Sequence, residues 1–168
     1  TEHIDVYTKP YEGIPELVAE IARRGIRIAV ASNKFQAGTE KLIRLFFPGV
    51  EFAAVFGQRE GVPLKPDPAV VGEILALTGV AKERVLYVGD SGVDMQTAAA
   101  AGVRSVGVTW GFRDREELVE SGAAHIVDKP AEILDLLKQL IVHGYRVTRS
   151  VCRHPYHLGV HYLSLIHI

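Results

Sequence analysis

The sequence predicts an α/β fold of Rossmann-like type, a parallel sheet with helices on both faces. Three observations carry that expectation. Short apolar runs alternate with amphipathic helical stretches, the connections between them are short, and polar residues recur at the carboxyl ends of the runs. Strands separated by helices pair in parallel and are buried on both faces. Ligands of such open sheets bind beyond the carboxyl ends of the strands.

The elements follow in order. Pro15 opens a helix in which Leu17, Val18, Ile21 and Ala22 recur at helical spacing, and Gly25 closes it. Arg27 to Ala31 is a short apolar strand, with Ser32 and Asn33 at its end. A second helix carries Leu42, Ile43 and Leu45 to Phe47 and is halted by Pro48. Phe52 to Phe56 reads as a strand and 57–66 as a loop. Pro68 starts a helix through Val70, Val71, Ile74, Leu75 and Leu77 that ends near Gly79. Val85 to Val88 is the clearest buried strand, broken by Gly89-Asp90-Ser91. The helix after it carries Ala98 to Ala101 and stops at Gly102. Val103 to Thr109 is a strand, Glu116 to Glu120 a short helix and His125 to Val127 a short strand. Pro130 opens the last helix, whose apolar pattern stops at Leu140 and Ile141.

Charge and composition set the limits and expose a boundary. The 168 residues carry 19 basic and 20 acidic side chains, a balance without the basic excess that nucleic acid demands. No apolar run approaches the ~18 residues of a membrane span. The single cysteine, Cys152, forms no internal disulfide and fits a reducing cytosol, so a soluble cytoplasmic protein is expected. Residues 142–168 hold no acid, five of the seven histidines and the only cysteine. Their closing Leu163-Ser-Leu-Ile-His-Ile168 matches the translation of a sequencing-adaptor end. The tail is therefore expected to be unstructured, or an artefact of a frameshift and adaptor read-through.

Three groups of residues at the strand ends can carry chemistry. Asp90 and Asp94 lie four apart across a strand-to-helix turn, so both carboxylates can face one point, as Mg²⁺ requires. Ser32 and Asn33 offer a hydroxyl, an amide and backbone N–H groups at a helix start for phosphate oxygens. Lys65, stiffened by Pro66 and Pro68, supplies a cation for a transferring phosphoryl group. Each group also has a plainer role: Asp90, Ser32 and Asn33 as helix caps, Lys65 as a solvated surface charge. Trp110 and Phe112 follow a strand end and suit either a substrate mouth or packing. His154, His157 and His161 have metal-ligand spacing, but in a tail without evident fold they are not taken as a site. Cys152 has no electropositive pocket around it to make it a nucleophile.

Together, hydroxyl, lysine and paired acids in this order resemble the haloacid dehalogenase-like hydrolase superfamily, most closely its phosphoglycolate phosphatase-like branch. The likeness lies in Pro10-Tyr-Glu-Gly-Ile-Pro15, Ala29 to Lys34, Lys65-Pro-Asp-Pro68, Val88-Gly-Asp-Ser91, Ala100-Ala-Gly102 and Val108-Thr-Trp-Gly-Phe112. The resemblance implies that Ser32 binds the phosphoryl group with Asn33 beside it. It implies that Lys65 bridges phosphoryl group and nucleophile, and that Asp90 and Asp94 hold Mg²⁺, Asp94 through water or through Lys65. A small phosphorylated metabolite is the substrate class it implies.

One part of the family pattern is missing. No two aspartates stand two residues apart, so the family's first motif, a strand ending in DxDGT that supplies the nucleophile, is absent. That strand is central in the family sheet, and most of the cap domain between the first two motifs is absent with it. Residues 1–8 are thus expected to be a remnant of cap or linker, 9–141 an incomplete core and 142–168 the atypical tail. A loss of roughly 70–90 residues corresponds to a strand plus a small helical cap. The expected function is a Mg²⁺-dependent phosphomonoester hydrolase acting through an aspartyl-phosphate, with this chain inactive alone. The alternatives are a sugar-phosphate mutase or pyrophosphatase of the same superfamily, or a non-catalytic phosphate-binding module.

Overall fold

A computed structural model describes residues 9–148 and 163–166, with side chains placed to residue 140. The helices are α1 (Ile14–Arg23), α2 (Gln36–Phe46), α3 (Ala69–Thr78), α4 (Gly92–Ala101), α5 (Arg115–Glu120) and α6 (Pro130–Thr148). The strands are β1 (Arg27–Phe35), β2 (Ala54–Gln58), β3 (Val85–Gly89), β4 (Arg104–Val108), β5 (His125–Val127) and β6 (Leu163–Ile166). They form one sheet in the order β2-β1-β6-β3-β4-β5, and every pairing is parallel.

Alternation along the central strands divides the core into two layers. Ile28 and Val30 of β1, with Leu86 and Val88 of β3, pack against Leu17, Val18 and Ile21 of α1 and Ile133 and Leu137 of α6. Ala29 and Ala31, with Val85 and Tyr87, face the other way, onto Val70, Val71 and Ile74 of α3 and Ala98 and Ala101 of α4. Small residues on that face of β1 accommodate the close approach of α3. Glycine ends α3 and α4 at Gly79 and Gly102, both with positive φ, as the sequence implies.

α1 is reinforced at its carboxyl end by a fork of charge. The Glu20 carboxylate accepts Nε and Nη2 of Arg23 and Nε of Arg24, all at 2.7 Å. These bonds hold the Glu20 carboxyl down to about 2, against an ordinary 4.5. Its stabilising contribution is present above the ordinary value and is lost as pH falls through about 2. An NMR titration should find the Glu20 carboxyl ionising near 2; a value at its ordinary position would mean that the fork does not persist in solution.

The structure departs from the sequence reading in four places. β1 continues past Ala31 to Phe35, with a register shift against β2 between those residues. Ser32 and Asn33 therefore belong to the strand, and α2 starts only at Gln36. β2 begins at Ala54 rather than Phe52. α6 runs on to Thr148, past the boundary drawn at 141. Within the tail, residues 163–166 form β6, inserted between β1 and β3 at the position expected to be empty. The tail's His154, His157, His161 and Cys152 lie outside the described residues.

Candidate active site

The carboxyl ends of β1 and β3 bring together four of the five expected residues, Ser32, Lys65, Asp90 and Asp94, and the fifth takes a supporting place. Lys65 reaches in from the loop before α3, beside a cis Lys65–Pro66 peptide. Its Nζ donates to Asp94 Oδ1 at 2.8 Å and to the Ala31 carbonyl at 3.1 Å. Both side chains are almost closed to solvent, 2% and 1% exposed. Lys65 is thus no surface charge but one half of a buried ion pair. Burial pushes its ammonium below the ordinary lysine value, and the carboxylates of Asp94 and Asp90 pull against that shift.

Asn33 is what positions this lysine. Its amide Nδ2 donates to the Lys65 carbonyl at 3.1 Å, and the Lys65 N–H donates to Asn33 Oδ1 at 2.9 Å. Such a two-way clamp fixes the loop on the strand end and engages the Asn33 amide with the backbone of Lys65. Ser32, buried beside it, accepts the N–H of Lys34 at 3.1 Å through its hydroxyl oxygen. The hydroxyl proton is left to donate.

The two aspartates occupy different environments. Asp94, in the first turn of α4, has no exposed surface. Its Oδ1 accepts Lys65 Nζ and, at 3.4 Å, the Tyr87 hydroxyl. Its Oδ2 accepts the Ser91 hydroxyl at 2.7 Å and the Asp90 N–H at 3.3 Å. Ser91 meanwhile caps α4, accepting the Asp94 N–H. Both carboxylate oxygens of Asp94 therefore serve protein donors, and its evident task is to hold Lys65. Asp90 is half-buried at the strand end, where its Oδ2 accepts the Phe112 N–H at 3.3 Å.

Neither Tyr87 nor Ser91 was singled out from sequence. The signals were there: Tyr87 is the only polar-tipped residue in the run Val85 to Val88, and Ser91 directly precedes a helix. Burial and then the Asp94 charge push the Tyr87 hydroxyl well above its ordinary value. Two glycines make room for the acids. A Cβ at Gly89 would meet the Asp94 side chain, and one at Gly111 would meet that of Asp90.

A cleft of about 820 Å³ lies beside this centre, between the starts of α1 and α6, lined by Tyr11, Glu16, Trp110, Lys129 and Leu134 among others. None of Ser32, Lys65, Asp90 and Asp94 lines it, so this cleft is separate from the candidate site. Tyr11 joins the two, because its hydroxyl is raised by burial and then by the Asp90 charge. Trp110 faces the cleft, whereas Phe112 is 91% exposed.

The donor set suits Mg²⁺ in a limited way. Among the described residues no three His, Cys, Asp or Glu side chains gather as a metal cage. Mg²⁺ commonly takes one or two carboxylates and completes its shell with water and phosphate oxygens. Asp90 fits as such a carboxylate, and Asp94 fits only as an indirect partner. Among the described residues no helix is long and apolar enough to cross a membrane.

Comparison with known proteins identifies the family. Residues 1–108 match the family described as haloacid dehalogenase-like hydrolase. A phosphoglycolate phosphatase of Mesorhizobium japonicum is 35% identical over 141 residues, which are 84% of this chain and 62% of that protein. One from Pectobacterium atrosepticum is 34% identical over 124 residues, covering 74% of this chain and 53% of the relative. The crystal structure of a candidate phosphoglycolate phosphatase from Lactobacillus delbrueckii superposes with a TM-score of 0.76 at 32% identity, over 80% of this chain and 56% of that one. The chain thus spans little more than half the length of the relatives it matches. It belongs to the haloacid dehalogenase-like hydrolase family.

Proposed function

We propose that the protein to which this chain belongs is a Mg²⁺-dependent hydrolase of small phosphomonoesters, with 2-phosphoglycolate the first substrate to try. Residues 9–141 supply the phosphate- and metal-binding part of its site. The observation that carries this reading is the buried Lys65–Asp94 pair, set at 2.8 Å between the ends of β1 and β3. Burying an ion pair is costly, and a lysine fixed this firmly, with its loop clamped by Asn33, suits a preorganised cation at a site where negative charge develops.

In this reading the Ser32 hydroxyl donates to a phosphoryl oxygen, while the Lys65 ammonium offsets charge on the group in transfer. Asp94 keeps Lys65 protonated and aimed. Asp90 is the residue that would hold Mg²⁺, which would neutralise phosphoryl charge when bound. The covalent step needs a carboxylate nucleophile, and no pair of aspartates two apart exists in the sequence to provide the family's nucleophile and its acid.

The chain alone is therefore expected to release no phosphate from 2-phosphoglycolate, with or without Mg²⁺. A longer product of the same reading frame that carries an aspartate pair should do so, and lose that activity in Asp90→Asn. Mg²⁺-dependent turnover by the present chain, abolished by Asp90→Ala, would overturn its expected inactivity, and a longer product without turnover would overturn the assignment.

A further inference from the structure

The ladder between β1 and β2 carries an insertion where it meets the candidate site. β1 advances four residues, from Ala31 to Phe35, while β2 advances two, from Phe56 to Gln58. The extra length lies in Ser32-Asn33-Lys34, a bulge opposite Gly57. Upstream the ladder is regular. The Ala53 N–H donates to the Ile28 carbonyl at 2.7 Å, so residues 53, 55 and 57 turn their peptide groups toward β1. Without the bulge, the same register would give the Val55 carbonyl the Ser32 N–H, and the Gly57 N–H the Ser32 carbonyl.

The Gln36 side chain takes both places. Its Nε2 donates to the Val55 carbonyl at 2.8 Å, and its Oε1 accepts the Gly57 N–H at 2.7 Å. A side-chain amide offers the donor and acceptor of a peptide group, so it completes the ladder where the β1 backbone has left it. Nε2 also donates to Glu40 Oε1 at 2.7 Å, one turn along α2, which fixes the orientation of the amide. The bulge is closed from the other side by Thr39, whose hydroxyl donates to the Lys34 and Phe35 carbonyls at 3.3 and 3.1 Å. Gly57 leaves room for it, since a Cβ there would meet the Lys34 carbonyl, the Thr39 hydroxyl and the Gln36 backbone.

We propose that Gln36 is a positioning residue of the site: its amide replaces the Ser32 peptide against β2 and so sets where Ser32 and Asn33 stand. The bulge it permits carries the Ser32 hydroxyl and the Asn33 amide that clamps the Lys65 backbone. Without Gln36, the Val55 carbonyl and the Gly57 N–H would need new partners, and the Ser32 peptide is the nearest in register. Its recapture would flatten the bulge and draw Asn33 off Lys65. The hydrogen bonds alone carry this geometry, whereas its meaning for a phosphate ligand rests on the proposed phosphatase reading.

Amide hydrogen exchange, followed by NMR on the full chain, separates positioning from general support of the fold. Gln36→Met keeps the length of the side chain and loses both ladder bonds. In that variant the Lys65 N–H, which Asn33 Oδ1 accepts, should exchange about tenfold faster, while Leu86 and Tyr87 of β3 keep the rates of the unsubstituted chain. Gln36→Glu keeps the acceptor for Gly57 and loses the donor to Val55, so Lys65 should exchange about threefold faster there. This second variant decides the matter if the first does not fold. Equal acceleration at Lys65, Leu86 and Tyr87, or an unchanged Lys65, would overturn the proposal.

Inorganic phosphate with Mg²⁺, titrated into the same samples and followed at the Ser32 amide, tests the link to the chemistry. Gln36→Met should bind it about fivefold more weakly than the unsubstituted chain, because displaced groups no longer converge on the ligand. Equal binding by the two would overturn the positioning role. Absence of phosphate binding by the unsubstituted chain would instead overturn the phosphatase reading of this part of the protein, and exchange at Lys65 would still decide the role of Gln36.

Discussion

Asp94→Ala should lower the unfolding free energy of this chain by about 3–5 kcal/mol, measured by urea denaturation. The reason is the lysine it abandons. Lys65 Nζ would keep the Ala31 carbonyl at 3.1 Å and lose its counter-charge, in a place almost closed to water. The Tyr87 and Ser91 hydroxyls would lose their acceptor as well. Burial already depresses Lys65, and Asp94 is the largest influence opposing it, so the variant's lysine drops further below the ordinary 10.5. A base with a lowered folded pKa is penalised while it must stay protonated, and the penalty lifts as pH rises toward the unfolded value. The deficit of Asp94→Ala should therefore narrow on going from neutral to alkaline pH.

The double variant Lys65→Met with Asp94→Leu should recover much of the loss, because an apolar pair of similar volume removes both charges together. A deficit below 1 kcal/mol on the single change, or strict additivity in the double, would show that the pair is not the closed structure described.

Gly89→Ala and Gly72→Ala should move stability in opposite directions. Gly89 ends β3, and a Cβ there would run into the Asp94 side chain. Asp94 has nowhere to go, since Ser91 caps its helix turn and Lys65 holds its carboxylate. Overpacking of this kind costs about 1–3 kcal/mol. Gly72 lies exposed within α3, where a new Cβ meets nothing within 4 Å. Replacement there should gain about 1 kcal/mol from helix propensity. Thermal melts of the two variants against the parent chain check both signs; a neutral Gly89→Ala would mean that the end of β3 yields more easily than its contacts indicate.

Much of this structure was legible locally. Continuous apolar runs at Ile28 to Ala31 and Val85 to Val88 specify strands buried on both faces, because successive side chains point to opposite layers and both layers are apolar. Gly79 and Gly102 end their helices where a positive φ is needed. Ser32, Lys65, Asp90 and Asp94 could be picked out because each lies beside a strand end or a helix start, which the chain itself marks with Pro, Gly or a break in apolarity.

What was not legible depended on partners distant in sequence. Nothing in Ser32-Asn33-Lys34 resembles a strand; β1 continues there because Phe35 pairs with Gln58 and because Asn33 clamps the backbone of Lys65. The hydrogen bonds that Asp94 accepts from Lys65, Tyr87, Asp90 and Ser91 come from β3 and its end, the α4 cap and the loop before α3.

β6 is the extreme case. No pattern in Leu163-Ser-Leu-Ile166 designates it for the middle of the sheet, and two open backbone edges more than seventy residues upstream do. The sequence by itself determined the order of helices and strands, the two-layer core and the identity of the polar residues at the strand ends, since these follow from local periodicity and turn chemistry. Only the tertiary structure decided which carboxylate meets the lysine, which amide is consumed in holding it and which segment closes the sheet. Those choices are made by hydrogen-bonding groups that must find partners wherever the folded chain brings them together.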